Sequence, residues 1–167
     1  MTPAGANVFV AREGDTAFIR VTGRATFACS SPLRQYAVQQ IESGARRFVF
    51  ELGSCTFMDS TFMGLLATLV VRYGQHDIKV SLLNVANEVI SQLHELGLYD
   101  LFEFINTTER ANAETGVGDK LEANDDAKTE EALRETMIEA HRALGEACAE
   151  NVPRFKDVMK CLEDSRP

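Results

Sequence analysis

Residues 51–74 read Glu-Leu-Gly-Ser-Cys-Thr-Phe-Met-Asp-Ser-Thr-Phe-Met-Gly-Leu-Leu-Ala-Thr-Leu-Val-Val-Arg-Tyr-Gly. Phe48, Val49, Phe50 and Leu52 form an apolar run of strand length at its start, and Gly53 and Ser54 break that run. Asp59, Ser60 and Thr61 are three consecutive N-cap candidates. Met63, Leu65, Leu66, Leu69, Val70 and Tyr73 then describe an almost wholly apolar helix that Gly74 ends. The stretch is therefore a strand, a loop and the N-terminus of a buried helix. Such a helix end presents free N–H groups and the positive end of a dipole, so an anion there is electrostatically favoured. Ser60 stands at that point. It has two readings: a helix cap worth about 1 kcal/mol, or an acceptor for a phosphoryl group that adds about −1.5 to −2 charges.

Phe57-Met58-Asp59-Ser60-Thr61 followed by an apolar helix resembles the signature of the STAS domain. It is similar in particular to bacterial anti-sigma-factor antagonists, whose motif runs roughly F-x-D-S-[ST]-G-L-G. The resemblance covers roughly residues 7–110. Val21-Thr22-Gly23 is similar to the family's L-x-G at the end of the second strand, and Leu96-Gly97-Leu98 with Phe102 to its late G-L-x-x-x-F segment. Phe62-Met63 replaces the family's Gly-Leu, and Arg24-Ala25-Thr26 replaces an acidic E-L-D segment.

The resemblance implies that Ser60 is phosphorylated by an anti-sigma-factor serine kinase that holds the ATP, with Thr61 as the fallback acceptor. A metal-dependent serine phosphatase would reset it. The unphosphorylated form would bind the kinase and so free a sigma factor for transcription. Met58, Asp59, Ser60, Thr61 and Phe62 would form the partner-binding loop. Phe62 is expected partly exposed beside Ser60, because a large aromatic replaces a glycine in the first turn, and Met63 is expected in the core.

Outward from this stretch, Val8, Val10, Ala17, Ile19 and Val21 alternate with polar residues around a Glu13-Gly14-Asp15 turn. They predict a β-hairpin closed by Gly23. Ser30, Ser31 and Pro32 read as a helix start, and the spacing predicts a helix over 32–43 that Gly44 ends. Val80, Leu82, Leu83 and Val85 predict another strand. Asn87 opens a helix ended by Gly97, and Phe102, Phe104 and Ile105 give a last short strand. The expected fold is α/β: a STAS-like mixed β-sheet packed against helices, with a C-terminal helical hairpin. The element order β-β-α-β-α-β-α-β comes from the periodicities, and the sheet topology from the resemblance.

The expected organisation is a STAS domain over 7–110, a linker over 111–126 poor in apolar residues, and an acidic helical hairpin over 127–164. Thr129, Leu133, Met137, Ala140, Leu144 and Cys148 recur at helical spacing as one narrow apolar stripe. Phe155, Val158, Met159 and Leu162 give the second helix its apolar face. Two helices alone enclose no core, so the stripe must meet its own domain or a second chain. Symmetry favours the second chain, and a homodimer through these helices is the expectation, with the hairpin dispensable for the STAS fold.

Composition sets the remaining bounds. The net charge of −8 is concentrated at the C-terminal side: residues 1–110 carry 9 Lys/Arg against 11 Asp/Glu, and residues 111–167 carry 8 against 14. No basic patch is visible, so neither nucleic acid nor an anionic membrane is an expected partner. No apolar run spans a bilayer and the first residues do not read as a signal peptide. Cys29, Cys55, Cys148 and Cys161 form no C-x-x-C pair and read as reduced, mostly buried thiols of a cytoplasmic protein. No metal site, cofactor or catalytic residue is expected. Met58 and Phe62 stand where a hydrolase elbow G-x-S-x-G needs glycines. His76, His94 and His141 show no pattern that would make one of them a base for Ser60. The alternative to the switch is a non-switching STAS scaffold or small-ligand-binding module in which Ser60 only caps.

Overall fold

The computed structural model describes residues 5–107, 118–122 and 129–165. Strands β1 (Asn7–Glu13) and β2 (Thr16–Ala25) pair antiparallel across a turn at Gly14, whose φ of +58° suits glycine. Strict alternation in β2 buries Ala17, Ile19 and Val21 and turns Phe18 and Arg20 outward. Strands β3 (Arg47–Glu51), β5 (Lys79–Leu83) and β6 (Glu103–Ile105) extend the sheet in parallel, and β3 and β5 bury Phe48, Phe50, Val80 and Leu82 on the same face. With β7 (Asp119–Lys120) antiparallel to β1, the sheet order is β6-β5-β3-β2-β1-β7.

A further strand, β4 (Cys55–Met58), lies where the sequence suggests a loop. It pairs in parallel with the end of β2 through a register shift between Gly23 and Arg24. Gly23 does not close the hairpin. Its φ of +85° bends β2 away from β3, its N–H bonds the Ser54 carbonyl at 2.9 Å, and a Cβ there would meet the Gly5 carbonyl oxygen at 2.6 Å. The strand therefore runs on to Ala25 and carries β4, and with it the start of the next helix, to the edge of the core.

Three helices follow the strands: α1 (Phe27–Glu42), α2 (Ser60–Val71) and α3 (Asn87–Glu95). Helix α1 starts five residues earlier than the Ser-Ser-Pro signal predicts. Thr26 is its N-cap, and Pro32 sits in the second turn, where it forgoes one backbone hydrogen bond. Every residue from Thr61 to Leu69 in α2 is buried. The sheet covers one side of it; the other side is covered from the C-terminal part of the chain.

That cover is α4 (Glu130–Ala147), capped by the Thr129 hydroxyl on the Ala132 N–H at 3.0 Å. It packs along α2 and against α1. A short turn of helix, α5 (Asn151–Arg154), then folds α6 (Lys156–Asp164) back on α4. Helix α4 thus docks on its own domain, one of the two partners expected for its stripe. The buried face is also rotated from the predicted stripe. Thr136, Ile138, Ala140, His141, Ala143 and Leu144 are buried, while Leu133 and Met137 are only partly so. Small residues face inward because Gly64 of α2 lets the two helices approach closely: a Cβ at Gly64 would lie 2.7 Å from Ala140 Cβ. Within the expected linker, Asp119–Lys120 is the edge strand β7 paired to Phe9 and Val10. The rest of that linker lies mostly outside the described residues.

Candidate functional site

Strand β4 ends at Met58 and α2 begins at Ser60, so Asp59 is the hinge between them. Its carboxylate caps two helices at once. One oxygen accepts the Phe62 N–H in the first turn of α2 at 2.8 Å, and the other accepts the Phe27 N–H that starts α1, also at 2.8 Å. Both helix N-termini thus converge on one negative charge. This also explains the early start of α1: its cap comes partly from residue 59, which no local pattern could reveal.

Ser60 is the first residue of α2 and is partly exposed. Its hydroxyl lies 3.1 Å from His141 Nε2 on α4. His141 is only 4% exposed, and its Nδ1 lies 2.7 Å from the Met137 carbonyl oxygen. A carbonyl can only accept, so Nδ1 carries the proton. In the neutral ring Nε2 is then the acceptor and the Ser60 O–H donates to it. Phe155 meets the His141 ring edge-on at 5.1 Å between centroids. Sequence reading missed His141 because it lies 81 positions from Ser60 and has no local signature.

The pairing reproduces one feature of an activated nucleophile, a serine on a base oriented by a third group. Catalysis also needs room for a substrate at the serine. The cleft of about 570 Å³ between α4 and α6 is lined by His141, Val152, Phe155 and Met159 among others, but Ser60 does not line it.

The other expected loop residues divide sharply. Met58 and Phe62 are fully buried and Thr61 is nearly so. Phe62 is therefore core, contrary to the expected exposed contact, and Thr61 is poorly placed as a fallback acceptor. The exposed aromatic beside Asp59 is instead Phe27, which is 45% exposed. Arg24, standing where the resembled family is acidic, stacks on Phe57 with its guanidinium carbon 4.1 Å from the ring centroid. Burial pushes the nearby Cys29 thiol up to about 11 and raises Cys55 as well.

Two ion pairs flank the seam. Arg34 of α1 holds Glu139 bidentately at 2.7 and 2.9 Å, and Arg72 after α2 meets Glu146 at 3.2 Å. The Glu139 hydrogen bonds raise the Arg34 guanidinium further above its ordinary range. Beyond them, buried Asn151 donates to the Leu96 carbonyl at 2.8 Å and the Leu144 carbonyl at 2.9 Å.

The family model of the STAS domain matches residues 8–111. The chain belongs to the STAS domain family. Its STAS domain is similar in fold to the anti-sigma-factor antagonist SpoIIAA in its unphosphorylated form, at 18% identity and a TM-score of 0.53 over 65% of this chain and 96% of that one. It is equally similar to the Bacillus cell-fate determinant SpoIIAA in the phosphorylated form, at 19% identity and a TM-score of 0.53 over 65% of this chain and 97% of that one. No curated protein sequence matches this chain. The STAS match ends at residue 111, so α4, α5 and α6 lie outside it.

Proposed function

We propose that the protein is a phosphorylation-switched interaction module of the anti-sigma-antagonist type. One observation carries the reading: Ser60 occupies the first position of α2, immediately after a strand and a capping aspartate, in a stretch that fits the F-x-D-S-[ST] motif. The unphosphorylated chain binds an anti-sigma-factor serine kinase and thereby regulates transcription in the bacterial cytoplasm. The kinase transfers the γ-phosphoryl group of its ATP to Ser60 Oγ. The bond to the β-bridging oxygen breaks, ADP leaves, and the hydroxyl proton passes to a base of the kinase. A serine phosphatase hydrolyses the phosphoester and resets the switch. The chain itself supplies no catalytic step. Its contribution is a rigid helix end that tolerates an added anion, because the N-terminal dipole offsets part of the charge.

Contact with the partner falls to the exposed Phe27, the edges of Asp59 and Ser60, and the Arg24–Phe57 stack. Incubation with the anti-sigma kinase of the same genome and ATP should place one phosphate on Ser60 and none on Ser60→Ala, and should abolish the complex. Equal affinity of the two phosphorylation states for the kinase would sink the switch. A second reading, a STAS scaffold that does not switch, is favoured by one observation: the Ser60 hydroxyl is already hydrogen-bonded to a buried histidine. In that case no phosphate enters and partner capture is unchanged in Ser60→Asp.

A further inference from the structure

Ser60 is partly exposed, but its hydroxyl is held by α4. It donates to His141, and the next residue of α4 towards its start, Ala140, lies against the bare backbone of Gly64 one turn along α2. Glu139 and Glu146 of α4 grip Arg34 and Arg72 on either side. The α4 side of these contacts lies outside the STAS match, and α4 packs on α1 and α2. We propose that α4 is a cis-acting mask of the acceptor: it holds the Ser60 hydroxyl through His141 and must lift away before that oxygen is free to react. The proposal rests on the reading of Ser60 as the acceptor.

Phosphoryl transfer needs the reacting oxygen about 3–3.5 Å from the incoming phosphorus, in line with the leaving group. A hydroxyl committed to a histidine ring in the seam between two helices has no such approach from the α4 side. The seam is also suited to release. Ala140 against Gly64 buries less apolar area than a leucine would, so Ile138 and Leu144 are the large apolar side chains that α4 buries, and the flanking anchors are partly exposed ion pairs. Local opening of such an element is less costly than global unfolding.

The modification would then keep the mask open. Phosphoserine has no O–H to donate to His141 Nε2. The phosphoryl group also brings negative charge beside the Asp59 carboxylate on the adjacent residue. Helix α4 therefore cannot reseat with its present Ser60–His141 hydrogen bond. An external partner for the uncovered face finds two arginines, Arg34 and Arg72, flanking a glycine. An acidic helix with alanines on its inner face, the pattern of α4 itself, fits that surface.

Alkylation by iodoacetamide at Ser60→Cys in the full chain, followed by peptide mass spectrometry, reads exposure at residue 60 without any partner. Peptide resolution separates this signal from the native thiols, of which Cys161 is exposed. Ala140→Glu puts a long charged side chain where Gly64 leaves no room, and Arg34→Glu sets two carboxylates face to face. Each should speed labelling about tenfold, the factor given by ~1.4 kcal/mol of lost docking energy. Adding Glu139→Arg to Arg34→Glu should restore the slow rate, and this swap at the rim decides the matter if Ala140→Glu fails to fold. With Ser60 restored, the same variants should take phosphate from the anti-sigma kinase in the same order of rates. Equal alkylation in masked and opened variants overturns the mask. Faster alkylation with no phosphate on any variant keeps the mask and removes the kinase reading.

Discussion

At the scale of single residues, Asp59 does the most with the least. One carboxylate satisfies the first N–H groups of two helices, so its loss leaves two donors without their acceptor. Each cap is worth about 1 kcal/mol. Asp59→Ala should therefore cost about 2 kcal/mol by urea denaturation, and Asp59→Asn, which keeps only one carbonyl acceptor, less. A null effect would show that water replaces both caps. Phe62 and Phe27 make a contrasting pair, one buried and one exposed. Phe62→Ala should lose about 3–5 kcal/mol, the range for a buried phenylalanine. Phe27→Ala should leave the melting temperature nearly unchanged and weaken kinase capture. The opposite pattern would reverse the assignment of core and contact surface.

At the scale of elements, α2 explains why the C-terminal helices exist in this form. A helix apolar on all sides must be covered on all sides, and the sheet covers one. Helix α4 supplies most of the rest, with small residues where Gly64 permits close approach and glutamates opposite Arg34 within α1 and Arg72 just after α2. Asn151 fastens the other end by bridging the last turns of α3 and α4 through two carbonyls. Asn151→Ala leaves both acceptors buried without that partner and should cost about 2–3 kcal/mol. Hydrogen exchange should show α4 and α6 loosened well before β3 and β5. Uniform loss of protection across the sheet and helices would mean that docking and folding of the domain are one event.

At the scale of the whole molecule, the face of α4 with Ile138, Ala140, Ala143 and Leu144 is buried within the chain itself. Of the α4 residues expected to form a two-fold bundle, Ala140 and Leu144 are buried, whereas Leu133 and Met137 are only partly so. The acidic surplus stays on the outside, where like charges oppose association. Light scattering of the full chain should give a mass near 18.5 kDa, that of one copy. A mass twice as large, unaffected by salt, would point to α6, whose Val158 stays exposed, as a dimer face.

Local pattern alone was enough for the alternating strands around Gly14, the apolar run at Phe48–Leu52, the capped start of α2 and the motif that names the family. Each of these depends on neighbours within a few residues, where side-chain period and capping chemistry act directly. The strand at Cys55–Met58 escaped because it is short and exists only through pairing with β2 beyond the Gly23 bend. The start of α1 escaped because part of its capping comes from Asp59, and the hold on Ser60 escaped because its partner is His141. The sequence did carry one hint of the cover, an α2 apolar on every side. Which segment provides that cover depends on where Gly64 lets a helix approach and where arginines meet glutamates, and those distances exist only once the chain has folded.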